Sequence, residues 1–241
     1  MEMNFWQHLA ELRRRLIRIA TALFLGFVFS LWMSKELLTL LTANAGQLVF
    51  LRPAEALISQ LKVALINGIV VSLPVTLWQI GAFLWPGLYR HERRAVMLFI
   101  PFAFVLFCIG LGFGYWVVVR LGYRYLLSYA TDQIVPMISL ATYLSFVLTS
   151  MLLCAVVFLL PVVIVFLALL GVVQAGFLWR QQRKLIIGLV VLVALITPTV
   201  DIFSLLLILV PILILVEISI FMAWLVERGK AKRLLQTEIP D

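Results

Sequence analysis

The feature that most constrains this chain is the recurrence of long apolar runs broken by short, mostly basic groups. Runs at about 17–33, 63–85, 95–118, 143–170, 185–197 and 203–226 are nearly free of charge. A bilayer core of about 30 Å takes about 20 apolar residues per helix. Only helices and closed barrels satisfy the backbone in that medium, and no strand periodicity is visible. The pattern therefore predicts an all-α membrane protein with six transmembrane helices in one membrane domain, 1–241. Composition agrees, with 64% hydrophobic and only 12% charged residues, against about 25% charged in a soluble domain.

The net charge of +8 does not indicate nucleic acid, because the basic residues fall into four short groups between apolar runs. Those groups lie at 13–18, 90–94, 180–184 and 228–233, and together hold fourteen of the nineteen Lys and Arg residues. Lys35, Arg52, Lys62, Arg120 and Arg124 fall on the opposite side. The excess of basic residues marks cytoplasmic ends, so the expected topology is N-in/C-in, which requires an even number of spans. Arg13-Arg14-Arg15 followed later by Ala43-Asn44-Ala45 invites comparison with a cleaved signal peptide. The apolar run 17–32 is longer than a usual signal core and stops well short of those alanines, so it reads as a retained span.

Residues 1–16 form an amphipathic cytoplasmic segment. Phe5, Leu9, Leu12 and Leu16 recur at helical spacing on one side, and His8, Glu11, Arg15 and Arg18 on another. Arg52-Pro53-Ala54-Glu55 has the form of a helix start. Pro74 is expected to kink the second span and Pro161 to bend the fourth. Gly110 and Gly114 form a small-xxx-small pair that admits a close neighbour. The fifth run, 185–197, is too short to cross the core as a straight helix. The segment 227–241 is expected to be a cytoplasmic tail.

Few residues suit chemistry. Cys108 and Cys154 lie deep in apolar runs and read as buried thiols. His8 with Glu11 supplies two ligands, too few for a metal site. The glycines at 110, 112 and 114 are not followed by the Lys-Ser/Thr of a phosphate loop. No cofactor, metal or enzyme activity is expected, and any transport must draw its energy from elsewhere.

What remains is acidic residues in unusual company. The stretch 83–94 ends a span at Pro86-Gly87 and sets one carboxylate, Glu92, among Arg90, Arg93 and Arg94. Orientation alone needs only the arginines. Glu11 has similar surroundings. Two readings stand: each carboxylate neutralises its own arginines, or the two together receive a cationic ligand. Guanidinium suits the second reading because it forms a bidentate, charge-assisted fork with carboxylate, which lysine cannot. Glu217 lies inside an apolar run, where a charge is costly and is usually functional or paired. Asp201 either caps the last span or meets a partner.

At these residues the chain resembles the TatC family, the multispanning subunit of the twin-arginine protein translocase. The matching elements are His8-Leu-Ala-Glu-Leu-Arg-Arg-Arg-Leu16, Arg52-Pro-Ala-Glu-Ala-Leu57 with Lys62, Pro74 and Gln79. They continue with Phe83 and Pro86-Gly-Leu-Tyr-Arg-His-Glu-Arg-Arg94, Tyr143-Leu-Ser-Phe146, Ile196-Thr-Pro-Thr-Val-Asp201, Pro211 and Glu217. The resemblance implies a cupped six-helix fold whose last two helices are short. It implies a cytoplasmic site for signal peptides with paired arginines, formed by Glu11 and Glu92 with Arg13, Arg15, Phe83 and Arg94 around them. It also implies docking of small single-span TatA- and TatB-like subunits near the last two spans, where Thr197, Asp201 and Glu217 lie. The cargo would be folded proteins moved with the proton-motive force across a bacterial-type inner membrane, and self-association of the chain is expected. The chain departs from the family pattern at Leu159-Leu160 before Pro161, where members often carry a glutamate, at Ser204-Leu205, where they often carry Ser-Gln, and near Asn44, where they often carry a proline. The competing reading is a proton-coupled secondary transporter of a small solute using Glu217 or Asp201. Against it, the chain shows no internal repeat of the kind many transporters have.

Overall fold

A chain this apolar has little choice but to close its backbone hydrogen bonds within helices, and it does so. The computed structural model describes residues 5–85, 90–131, 137–196 and 202–237. In order these form α1 (Phe5–Trp32), α2 (Ser34–Thr42), α3 (Glu55–Leu84), α4 (Arg90–Phe113), a π-helical stretch (Gly114–Val119), α5 (Arg120–Leu127), α6 (Leu140–Val157), α7 (Leu160–Leu169), α8 (Ala175–Ile196) and α9 (Ile202–Thr237). No β-sheet occurs among the described residues. Among the described residues, five rods are long and apolar enough to cross a membrane: Leu9–Trp32, Glu55–Leu84, Val96–Leu127, Leu140–Leu169 and Ile202–Arg228. The chain is a multi-pass, all-helical membrane protein.

Helix α8 differs from these five because Arg180, Arg183 and Lys184 occupy its first half. Its apolar remainder, 185–196, is about 18 Å long at 1.5 Å per residue. Against the expectation of two short closing helices, α9 runs for 36 residues, since the rod carries on past the apolar stretch into the basic segment. Pro74 lies inside a helix that continues through it. Pro161, by contrast, opens α7 after α6 has stopped at Val157. Proline fits the first turn, where its missing N–H would be unpaired in any case.

Small residues set how the rods pack. A Cβ built on Gly110 would lie 2.7 Å from the Ala155 Cα, and one on Gly114 would lie 2.7 Å from the Met151 Cα. The expected close neighbour of that pair is thus α6. A second close approach joins α1 to α3: a Cβ on Gly26 would meet the Gly68 carbonyl oxygen at 2.6 Å. Buried Ser30 accepts a hydrogen bond there from Asn67 at 3.0 Å. The larger apolar core, with Ile208, Ile212 and Val216 of α9 and Leu153 and Val157 of α6, lies among α6 to α9.

At one end a cap closes over the bundle. The last four carbonyls of a helix have no partner within it, and α2 shows how these are satisfied. Tyr115 donates its hydroxyl to the Leu40 carbonyl at 2.8 Å, and Tyr143 donates to Leu41 at 3.1 Å. The Ala45 amide closes onto Thr42 at 2.9 Å, and the Thr42 hydroxyl reaches Thr39 at 3.4 Å. Tyr123 adds a bond to the Ala45 carbonyl at 2.8 Å. Below this, buried Glu55 accepts from the Leu51 amide at 2.8 Å, from Arg52 at 3.3 Å and, across to α6, from Ala141 at 2.7 Å. The helix start falls at Glu55, with Pro53 in the turn before it and not at the first helical position, and the Glu55 carboxylate also ties α3 to α6.

Candidate functional site

The opposite end collects the chain's basic groups. Arg15 near the start of α1 meets Gln79 near the end of α3. Gly81 of α3 packs on Val96 and Ile100 of α4. Phe99 of α4 meets Phe166 of α7 edge-on, with ring centroids 6.0 Å apart. In the first half of α8, Gln182 pairs with Glu217 in the second half of the apolar span Ile202–Arg228 of α9. Each contact joins the start of one rod to the end of another, so the basic groups near 15, 90, 180 and 228 share one end.

On α1, Glu11 and Arg15 are one turn apart and face each other. Arg15 donates from Nη2 at 2.5 Å and from Nε at 3.0 Å, both to Oε1 of Glu11. Its Nη1 reaches Oε1 of Gln79 at 3.4 Å. The pair is only partly covered, with side-chain exposures of 18% for Arg15 and 24% for Glu11. Ala10, Glu11, Arg14, Arg15 and Arg18 line an open cavity of about 400 Å³. The structure thus shows Glu11 engaged with an arginine of its own helix. Both of those bonds fall on one oxygen, while a carboxylate has room for about four donors.

The other predicted residues fall out as follows. Phe83 is one turn beyond Gln79 on α3 and half-buried, so the two share a helix face at the same end. Arg13 is exposed and lies about 200° around α1 from Glu11 at 100° per residue. The structure therefore does not bring Arg13 to the Glu11–Arg15 pair. Arg14 and Arg18 line the cavity instead. Glu92 and Arg94 stand in the first turns of α4, with their side chains outside the described residues. Thr197 and Asp201 also lie outside the described residues. Glu217 is exposed on α9 and accepts a hydrogen bond from Nε2 of Gln182.

Sequence reasoning missed two partners as site residues, Gln79 and Gln182. Each is an amide placed opposite a charged residue on another helix. Gln79 carried a signal, since it is a strong hydrogen-bonding group near the end of an apolar run. Among the described residues no cluster of three or more His, Cys, Asp or Glu is placed to hold a metal ion.

Comparison with known proteins points to one family. Residues 7–211 match the family described as TatC, Sec-independent protein translocase protein. A Sec-independent protein translocase protein TatC from Koribacter versatilis is 37% identical, over 96% of this chain and 89% of that protein. The TatC protein of Escherichia coli is 31% identical, over 89% of this chain and 85% of its own length. A crystal structure of a twin arginine translocase receptor, TatC, superposes with a TM-score of 0.81 at 32% identity, covering 91% of this chain and 99% of that one.

Proposed function

The chain belongs to the TatC family of Sec-independent protein translocases, and from that premise we propose that it is the core subunit of a twin-arginine translocase. In this reading it binds twin-arginine signal peptides of folded proteins at its cytoplasmic face. With small single-span TatA- and TatB-like subunits it then moves the cargo across a bacterial inner membrane, using the proton-motive force. Both termini are cytoplasmic, and α8, short in its apolar part, is the fifth of six passes in a cupped bundle. The excess of basic residues at the end that holds Glu11 supports this orientation.

The observation that carries the reading is the Glu11–Arg15–Gln79 constellation, which holds a partly exposed carboxylate where α1 crosses the end of α3. A charge-assisted hydrogen bond is worth about 1.5–3 kcal/mol, and an incoming guanidinium makes two when bidentate. A visiting arginine therefore replaces the bonds of Arg15 at Oε1 with equivalent ones and gains a further bond at Oε2, which Arg15 does not use, and Glu92 at the adjoining start of α4 takes the second guanidinium. Acidic side chains are favoured at a helix N-terminus, so that position suits a carboxylate before any ligand arrives. Glu217 with Gln182 supplies a polar contact for docking of the small subunits, the role that the resemblance also gives to Thr197 and Asp201.

The test is transport into inverted vesicles that hold this chain with its small subunits. A folded reporter with an Arg-Arg signal is expected to enter, to stop on addition of an uncoupler, and to be excluded when the signal carries Lys-Lys. Entry that ignores both changes would overturn the reading. The relatives described above are translocase proteins and lend no support to a solute transporter.

A further inference from the structure

Between the start of α8 and the end of the apolar part of α9 lies a second groove, distinct from the Glu11 cavity. It encloses about 500 Å³ and is lined by Gly176, Trp179, Arg180, Ile220, Phe221 and Trp224. Ile220 is buried, whereas Phe221, Trp179 and Trp224 are exposed. Phe221 and Trp224 stack at 5.9 Å between centroids. The Arg228 guanidinium sits 3.8 Å over the ring of Trp224, so a second cation borders the groove through that wall, in addition to Arg180 in the lining. Glu217, paired with Gln182, lies one turn inward on the same face of α9, which places negative charge away from the rim. The floor is apolar, Arg180 lines the groove and Arg228 borders it, and tryptophans are the residues with which membrane proteins meet the headgroups.

We propose that this groove seats one anionic phospholipid, with an acyl chain along Ile220, Phe221 and Trp224 and the phosphate against Arg180 and Arg228. The volume falls within the range of about 300–1,000 Å³ usual for small-ligand sites. The charge arrangement selects an amphiphile with a negative head. Arginine matches phosphate oxygens with a planar fork of donors, and cationic side chains near an anionic leaflet each add to the attraction.

The test is native mass spectrometry of the full chain in detergent, titrated with phosphatidylglycerol or phosphatidylcholine of the same acyl composition. The expected result is preferential retention of one phosphatidylglycerol. Arg180→Gln and Arg228→Gln are each expected to weaken that retention by about fivefold. Gly176→Leu is expected to weaken retention of both lipids by filling the groove. A Cβ at Gly176 meets nothing within 4 Å, so the variant folds. Equal retention of the two lipids by the wild-type chain, or undiminished phosphatidylglycerol retention by Gly176→Leu, would overturn the proposal. So would disulfide trapping from Gly176→Cys onto a co-expressed single-span protein in place of labelling by a maleimide-headed lipid. Neither peptide nor cargo enters these measurements, so their failure leaves the translocase reading untouched.

Discussion

Glu92→Ala is expected to weaken capture of a twin-arginine signal peptide by about 10- to 100-fold, the loss of one or two charge-assisted bonds. Glu11→Ala is expected to lose less, about tenfold, because part of what Glu11 offers a visitor goes to releasing Arg15 from its bonds at 2.5 and 3.0 Å. Both losses would appear in site-specific crosslinking of a labelled peptide to membranes containing the chain at equal levels. Glu92→Gln keeps an acceptor oxygen but loses the charge, so it is expected to fall between wild type and alanine. Capture unchanged in both alanine variants would mean that each carboxylate merely neutralises its own arginines.

The second large effect is on stability. Gly68→Leu would place a Cβ 2.8 Å from the Phe27 amide nitrogen and Cα, backbone atoms that cannot turn aside. Helices α1 and α3 must then part, with overpacking costing about 1–3 kcal/mol. The Asn67–Ser30 bond at 3.0 Å is lost as well, and interhelical hydrogen bonds of this kind average about 0.6 kcal/mol in membranes. A loss of about 2–4 kcal/mol is expected, read as a lower midpoint of thermal or chemical unfolding in detergent. Gly112→Leu is the matched control, since nothing lies within 4 Å of its Cβ position. It is expected to stay within about 0.5 kcal/mol of wild type. A Gly68→Leu variant as stable as that control would show that the α1–α3 crossing does not depend on bare backbone.

These two predictions also mark how far the sequence could be read. The helical membrane class was legible because five of the six apolar runs exceeded what a soluble core needs, and the Gly110–Gly114 spacing announced a close neighbour. The Gly26–Gly68 contact has a similar signature, with Gly26 and Ser30 on α1, Ser34 at the start of α2, and Ala64, Gly68 and Ser72 on α3, all buried at intervals of four. It went unread because no one-chain pattern says which two helices meet. Apolar periodicity does not help, since lipid and core are equally oily: Phe24 is 65% exposed and Ile208 is 2% exposed, yet both are simply large apolar residues.

The site was legible by residue type rather than by pairing. Glu11 and Arg15 stood at helical spacing, but the bridge to Gln79 depends on the end of α3 lying beside the start of α1. Arg13 and Arg15 looked equivalent in an unbroken arginine run, and only the helix phase separates them. The tyrosine hydroxyls that close the end of α2 were invisible for a further reason. Tyr115 reaches Leu40 from within the π-helical stretch, and a π turn alters the phase of the residues that follow it.

The central claim is that Glu11 and Glu92 read the guanidinium groups of the signal peptide. The direct measurement is a cycle of four affinities: Arg-Arg and Lys-Lys peptides, each against the wild-type chain and against the Glu11→Ala/Glu92→Ala double variant. The wild-type chain is predicted to prefer Arg-Arg by about 10- to 100-fold, and the double variant to bind the two peptides within about twofold of each other. A preference for Arg-Arg that survives undiminished in the double variant would contradict the account.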